Sequence, residues 1–161
     1  MEKHIMNKLK SNSPAEGAYI AFPSTIAGYH HFKIKPIPGL IFPMTLHREP
    51  SNSHHINAIM VTSNVKSKFP DQVIKLADGR SVFDKQVGRV PREIADIIAP
   101  FLDNGEIIKG LAFYTGKIIQ KGNQEGGGPH LTCVYFLKVK SANEATALHE
   151  QLKAYGCILI S

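Results

Sequence analysis

The chain has 161 residues, of which 43% are apolar, and its 19 Lys and Arg outnumber its 13 Asp and Glu for a formal charge of +6. This length predicts one domain, and the apolar share excludes a disordered polycation. No apolar run approaches the roughly 18 residues of a membrane span, and the basic N-terminus lacks the apolar centre of a secretory signal. We therefore expect an intracellular protein, nuclear if eukaryotic. Its charge permits binding to nucleic acid but does not require it.

The N-terminal residues 1–17 are polar and aperiodic, which predicts a flexible arm ahead of a single domain at 18–161. In that domain, short segments rich in β-branched and aromatic residues alternate with Pro and Gly, the pattern of strands separated by turns. The predicted strands are 19–22, 29–34, 42–47, 58–63, 86–90, 107–115 and 132–140. They predict a mainly β fold with two helices, a small OB-like or SH3-like β-barrel of about six strands.

A charged segment at 64–85 interrupts the strand pattern. Asp78-Gly79 suits a tight primed turn and lies between the apolar residues 73–77 and 82–83. We therefore predict an inserted hairpin or mobile loop at 64–85.

The first predicted helix opens at Pro91, which suits the first helical position because it has no amide hydrogen to lose. Pro100 is expected to kink its last turn, and Asn104 and Gly105 supply a left-handed stop. Residues at helical spacing form its apolar face: Ile94, Ile97, Ile98, Phe101 and Leu102.

The second predicted helix begins at Ser141, with Glu144 at the capping-box spacing, and ends at Gly156. Its predicted buried stripe is Ala145, Leu148 and Leu152.

The histidine pairs His30-His31 and His54-His55 raise the question of a metal site. Adjacent strand residues face opposite sides, so only one member of each pair can enter a given site, whereas metal sites need three or four ligands. The serines lack a nucleophile elbow with placeable acidic partners. We therefore predict no metal, no cofactor and no enzymatic activity.

The most informative run is LHREPSNSHHINAIMV at 46–61, followed after the insert by VGRVPREIA at 87–95. Agreeing pieces are AGYH at 27–30, the helix ending in Asp103-Asn104-Gly105, and QLKAYG at 151–156. In this order and spacing the chain resembles the HIRAN domain. That family's pattern is a strand ending in Arg-Glu-Pro, a polar turn with Asn, Asn-Ala-Ile-x-Val, and a Val-Gly-x-x-Pro-Arg entry into a helix. The resemblance covers about residues 18–160.

The resemblance implies a small OB-like barrel that captures the 3′ end of single-stranded DNA, as in a fork-remodelling enzyme. In that family, aromatic and basic side chains hold the terminal nucleotides, and an acidic side chain of the polar turn meets the 3′-hydroxyl. It implies a non-enzymatic module for single-stranded DNA, in DNA repair or replication-fork processing, alone or in a larger helicase or nuclease assembly.

The candidate nucleic-acid-binding residues all lie in or beside these motifs: His30, His31, Phe32, Arg48, Asn52, His54, His55, Asn57, Arg89 and Arg92. Arginines suit phosphates, and the imidazole and phenyl rings suit stacking on bases. The Asn side chains suit a base, a sugar or the turn's own backbone. Structural readings stay open: Asn57 caps the turn, Arg48 and Glu49 form a solvated strand end, Arg89 and Arg92 flank a helix start, and Phe32 is core.

The chain departs from the family pattern at both histidine pairs. His54-His55 replaces a Tyr-Asp pair, which removes the carboxylate for a 3′-hydroxyl, and His30-His31 replaces an Arg-Tyr pair. Single-strand binding survives these changes better than 3′-end specificity. The alternative is a protein-interaction domain that keeps the barrel but has lost the 3′-end pocket.

Overall fold

The computed structural model describes residues 18–28, 34–36, 42–63, 74–76, 86–120 and 128–160. Its strands are β1 (Ala18–Ile26), β2 (Ile34–Pro36), β3 (Phe42–Arg48), β4 (Ile59–Thr62), β5 (Ile74–Leu76), β6 (Gln86–Arg89), β7 (Ile107–Gln120), β8 (Pro129–Val139) and β9 (Ile158–Ile160). Its helices are α1 (Arg92–Asp103) and α2 (Ala142–Leu152), followed by a 3₁₀ turn at Lys153–Tyr155. The mainly β class with two helices is confirmed. The predicted N-terminal arm lies outside the described residues.

The described strands form a seven-stranded antiparallel sheet in the order β6-β4-β3-β7-β8-β1-β9, while β2 and β5 pair with each other. The sheet does not close into a continuous barrel. One bridge joins β1 to β6, where Ala27 and Arg89 exchange backbone hydrogen bonds of 2.8 and 2.9 Å. Gly28, which follows Ala27, takes the left-handed conformation with φ of 72°. The predicted barrel of about six strands is therefore seen as a sheet that is not closed, in which β1 and β6 meet at this one bridge.

The predicted insert is described only at Ile74–Leu76, which pairs antiparallel with Ile34–Pro36. Residues 82–83, the other half of the predicted hairpin, lie outside the described residues. The hairpin therefore stays a prediction.

Helix α1 begins one residue later than the sequence suggested. Pro91 is its N-cap, with an extended ψ of 144°, because the Val90 amide still donates to Ile59 O at 2.9 Å and keeps the chain in the sheet. At the other end, Gly105 takes the left-handed conformation with φ of 74°, whereas Asn104 stays right-handed. The predicted stop is therefore confirmed at the glycine alone.

Helix α2 keeps its predicted buried stripe of Ala145, Leu148 and Leu152. Ser141 is its N-cap, but the serine side chain makes no capping hydrogen bond, so the predicted capping box is wrong. Within the described residues, Glu144 Oε2 is buried without a hydrogen-bond partner. Gly156, with φ of 78°, ends the 3₁₀ turn that follows the helix.

The main core lies between one face of the sheet and the two helices. Alternate residues of β1, Ile20 and Phe22, point into it, together with Ile94 and Ile98 of α1. The other face of β1 and β8 carries a smaller apolar cluster in which Tyr19 stacks on Phe136, with ring centroids 5.1 Å apart. None of the described helices has the length and apolar character needed to cross a membrane.

One hydrogen bond inside the core gives a test of the fold. The fully buried Tyr135 hydroxyl donates to Thr25 O at 2.5 Å, and burial raises the tyrosine's pKa well above its usual value. Tyr135→Phe is expected to lower the free energy of unfolding by about 1 kcal/mol, the net contribution of one such bond. Urea unfolding measures it, with Tyr19→Phe as the matched control. Equal losses in both variants would contradict this assignment.

Candidate nucleic-acid interface

The segment between β3 and β4, residues 49–58, is a turn organised by Asn52. The Asn52 Oδ1 accepts hydrogen bonds from the backbone amides of His54 and His55 at 2.9 and 3.0 Å. The backbone N–H of Asn52 donates to the backbone carbonyl oxygen of Glu49 at 3.0 Å. Asparagine suits this role because its short amide can replace a backbone carbonyl in a turn. Of the roles left open for Asn52, the structure shows the one toward the turn's own backbone.

Arg48 ties this turn to the end of α1. Its Nε and Nη2 donate to the two carboxylate oxygens of Asp103 at 2.8 and 3.2 Å. Its Nη1 donates to Ala58 O at 2.6 Å, and its Nη2 also donates to Ile56 O at 3.0 Å. Only 14% of the side chain is exposed. Arg48 is therefore an internal clamp rather than a solvated strand end.

Asp96, on the middle of α1, holds two further residues of the turn. Its Oδ1 accepts from His55 Nε2 at 2.9 Å and from Asn57 Nδ2 at 3.1 Å. The His55 hydrogen bond is the main reason that the Asp96 pKa lies below its usual value, with further contributions from Asn57 and from the charges of His55 and Arg92. His55 and Asn57, which were both predicted to contact nucleic acid, thus each donate one side-chain hydrogen bond within the protein.

The exposed side chains at the tip of the turn and the start of α1 include those of His54, Ile56 and Arg92. His54 is exposed, and Ile56 is 73% exposed. The exposed Arg92 donates through Nη2 to His54 O at 3.3 Å. Of the predicted residues that the structure describes, His54 and Arg92 are therefore placed where a ligand can reach them, as is the 41% exposed side chain of Arg89.

Arg89 lies beside the turn on β6. Its Nε and Nη2 donate to the Glu49 carboxylate at 2.8 and 3.1 Å, which raises the arginine's pKa. The Arg89 backbone pairs with Ala27 at the bridge described above. The candidates His30, His31 and Phe32, which follow Ala27 in sequence, lie outside the described residues.

The carboxylates of this interface were not among the predicted site residues. Glu49, Asp96 and Asp103 face the three predicted arginines, so three negative charges balance three positive ones here. The helical spacing of Asp96 and Asp103 was the available signal, but their partners come from a distant part of the sequence. Among the described residues, no three His, Cys, Asp or Glu side chains converge as a metal site.

The sequence profile of the HIRAN domain matches residues 39–124, more than half of the chain and a range that includes the turn and α1. The chain belongs to the HIRAN domain family. The match begins after AGYH at 27–30 and ends before QLKAYG at 151–156, so it is shorter than the resemblance suggested. No curated protein sequence matches the chain.

A solved HIRAN domain shares the fold of this chain. The crystal structure of the human HLTF HIRAN domain is 18% identical with a TM-score of 0.53, covering 87% of this chain and 93% of that one. An NMR structure of the HLTF HIRAN domain is 20% identical with a TM-score of 0.48, covering 86% and 89%. An NMR structure of the HLTF HIRAN domain in its DNA-bound conformation is 18% identical with a TM-score of 0.49, covering 93% and 97%.

The lowered Asp96 pKa makes this HIRAN interface sensitive to acid. An Asp whose pKa is lowered in the folded state contributes its full stabilisation at pH values above its pKa in the unfolded chain, here 3.8. That contribution is lost as the pH falls through the pKa of the folded state. Asp96→Asn is expected to be less stable than the wild type near neutral pH, by less than about 1 kcal/mol because the side chain is 51% exposed. Urea unfolding at several pH values should show the two proteins converging below about pH 4. A difference that does not change with pH would contradict this role.

Proposed function

We propose that this HIRAN domain is a non-enzymatic module that binds single-stranded DNA through the turn at 49–58 and the start of α1. The observation that carries the proposal is the turn itself, whose backbone is fixed from inside while His54, Ile56 and Arg92 reach solvent. Imidazole can stack on a base, and an arginine at the start of a helix can meet a phosphate. The family membership and the net charge of +6 support the same partner.

We extend the proposal to free 3′ ends because of Asp96. The turn lost its own carboxylate where His54-His55 replaces Tyr-Asp, but α1 supplies a half-exposed one against the same turn. A carboxylate accepts a hydrogen bond from a terminal hydroxyl and repels a terminal phosphate. The biological context we propose is DNA repair or replication-fork processing, within a larger helicase or nuclease assembly.

Fluorescence anisotropy with short labelled oligonucleotides tests this function. We expect binding to single strands with a free 3′-hydroxyl and weaker binding when that end carries a phosphate. The logarithm of the binding constant should fall with the logarithm of salt concentration, by a slope of about −0.7 for each phosphate contact. Equal binding of both ends would remove the 3′-end preference. Failure of the folded protein to bind any oligonucleotide at low salt would overturn the function itself.

A protein-interaction module is the second candidate, favoured by the charge balance of the interface. Arg48 and Arg89 are each paired with a carboxylate, and Ile56 offers an exposed apolar side chain beside them. Such a surface is less attractive to a polyanion than three unpaired arginines would be. Affinity capture with nuclease treatment separates the two candidates. Partners that persist after nuclease, together with absent oligonucleotide binding, would favour the second.

A further inference from the structure

The side of α1 that meets the turn carries a charged stripe. Arg92, Asp96 and Asp103 lie at i, i+4 and i+11, which places them within about 40° of one another around the helix axis. The apolar face with Ile94 and Ile98 packs on the core instead. The stripe is therefore positioned by the same packing that anchors the helix.

Each member of the stripe holds a different part of the turn. Arg92 donates to His54 O, and Asp96 accepts from the side chains of His55 and Asn57. Asp103 fixes Arg48, which in turn donates to the carbonyls of residues 56 and 58. Helix α1 thus contacts the turn from its tip to its return into β4.

Two of these members, Asp96 and Asp103, carry a charge that a phosphate backbone repels. A carboxylate beside a phosphate backbone lowers affinity by simple repulsion, so its removal ordinarily strengthens binding. The structure instead gives Asp96 two hydrogen bonds from side chains of the turn and gives Asp103 two from Arg48, at the end of β3. Apart from the 3′-hydroxyl bond proposed above for Asp96, their contribution to a ligand is made through the shape of the turn.

We propose that Asp96 and Asp103, the latter through Arg48, are positioning residues that hold the turn in its binding conformation. This inference rests on the proposed DNA-binding function. When a protein occupies its binding-competent conformation only part of the time, its apparent affinity is reduced in proportion to that fraction. Loss of either carboxylate therefore weakens DNA binding, although the protein becomes more positive.

The test measures binding of Asp96→Asn and Asp103→Asn to oligonucleotides that end in a 3′-phosphate, so that no 3′-hydroxyl can bond to Asp96, with Glu93→Gln as the matched control. Glu93 is an exposed acid of the same helix, and its change removes the same charge. We expect each Asp variant to bind roughly 3- to 10-fold more weakly than the wild type. Glu93→Gln should bind as well as the wild type or more tightly, and salt slopes should be unchanged in the Asp variants because no phosphate contact is lost.

Hydrogen exchange of the His54 and His55 amides, which donate to Asn52, provides a second readout without DNA. We expect faster exchange in both Asp variants and not in Glu93→Gln, with urea unfolding confirming that all are folded. Tighter DNA binding by the Asp variants, or unchanged exchange in them, would overturn the positioning role. Absence of binding by the wild type would overturn the proposed function and remove the basis of this inference, a result distinct from the other two.

Discussion

Replacing Arg48 by methionine is expected to lower the free energy of unfolding by about 2 kcal/mol, since hydrogen bonds to charged groups contribute roughly 1.5–3 kcal/mol. The variant loses the paired bonds to Asp103 and the bonds to the Ile56 and Ala58 carbonyls. Methionine keeps a long apolar stem in the space of the arginine, so most of the loss comes from the guanidinium. The midpoint of urea unfolding should fall with an unchanged slope.

The matched control for this prediction is Arg92→Met. Arg92 is exposed, and its hydrogen bond to His54 O is 3.3 Å long, so its loss should change stability by no more than about 0.5 kcal/mol. If both variants lose the same small amount, Arg48 is not the clamp that the geometry indicates. The contrast separates two arginines that the sequence had placed in one class.

The elements of the fold were largely predictable because their signals are local. Strand composition located most of the main sheet, and helical spacing located the buried residues of both helices. The capping box at Ser141 failed for another reason. Whether a capping bond forms depends on where packing sets the serine side chain, and sequence spacing does not fix that.

The turn was predictable from the sequence, but the contacts that its side chains make within the protein were not. The motif at 46–61 located the turn, and Asn52 was correctly given the turn's backbone as one of its open roles. Arg48 was predicted as a nucleic-acid contact, and its pairing with Asp103, 55 residues away in sequence, was not foreseen. A sequence does not show which charged side chains form ion pairs with residues that are distant along the chain. Charge counted along the chain therefore overstates the positive field of this interface.

Because Arg48 is paired with Asp103 and Arg89 with Glu49, we propose Arg92 as the main phosphate contact. It starts α1, where backbone amides and the helix dipole also favour an anion, and its exposed side chain lies beside the exposed His54. Arg92→Gln is expected to reduce the salt slope of single-stranded DNA binding by about 0.7, the share of one phosphate contact. Affinity should fall most at low salt, where counterion release is most favourable.

Lys153→Gln is the charge-matched control, since Lys153 lies in the 3₁₀ turn after α2 and pairs with Glu150. It lowers the net charge by the same amount but is outside the interface, so its salt slope should remain that of the wild type. The comparison separates a local phosphate contact from a general attraction to the positive protein. Only a local contact predicts different salt slopes for the two variants. If the salt slopes of both variants fall equally, net charge drives binding and the DNA is not bound specifically at the turn. If neither falls, Arg92 does not contact phosphate, and the phosphate contacts lie at other residues.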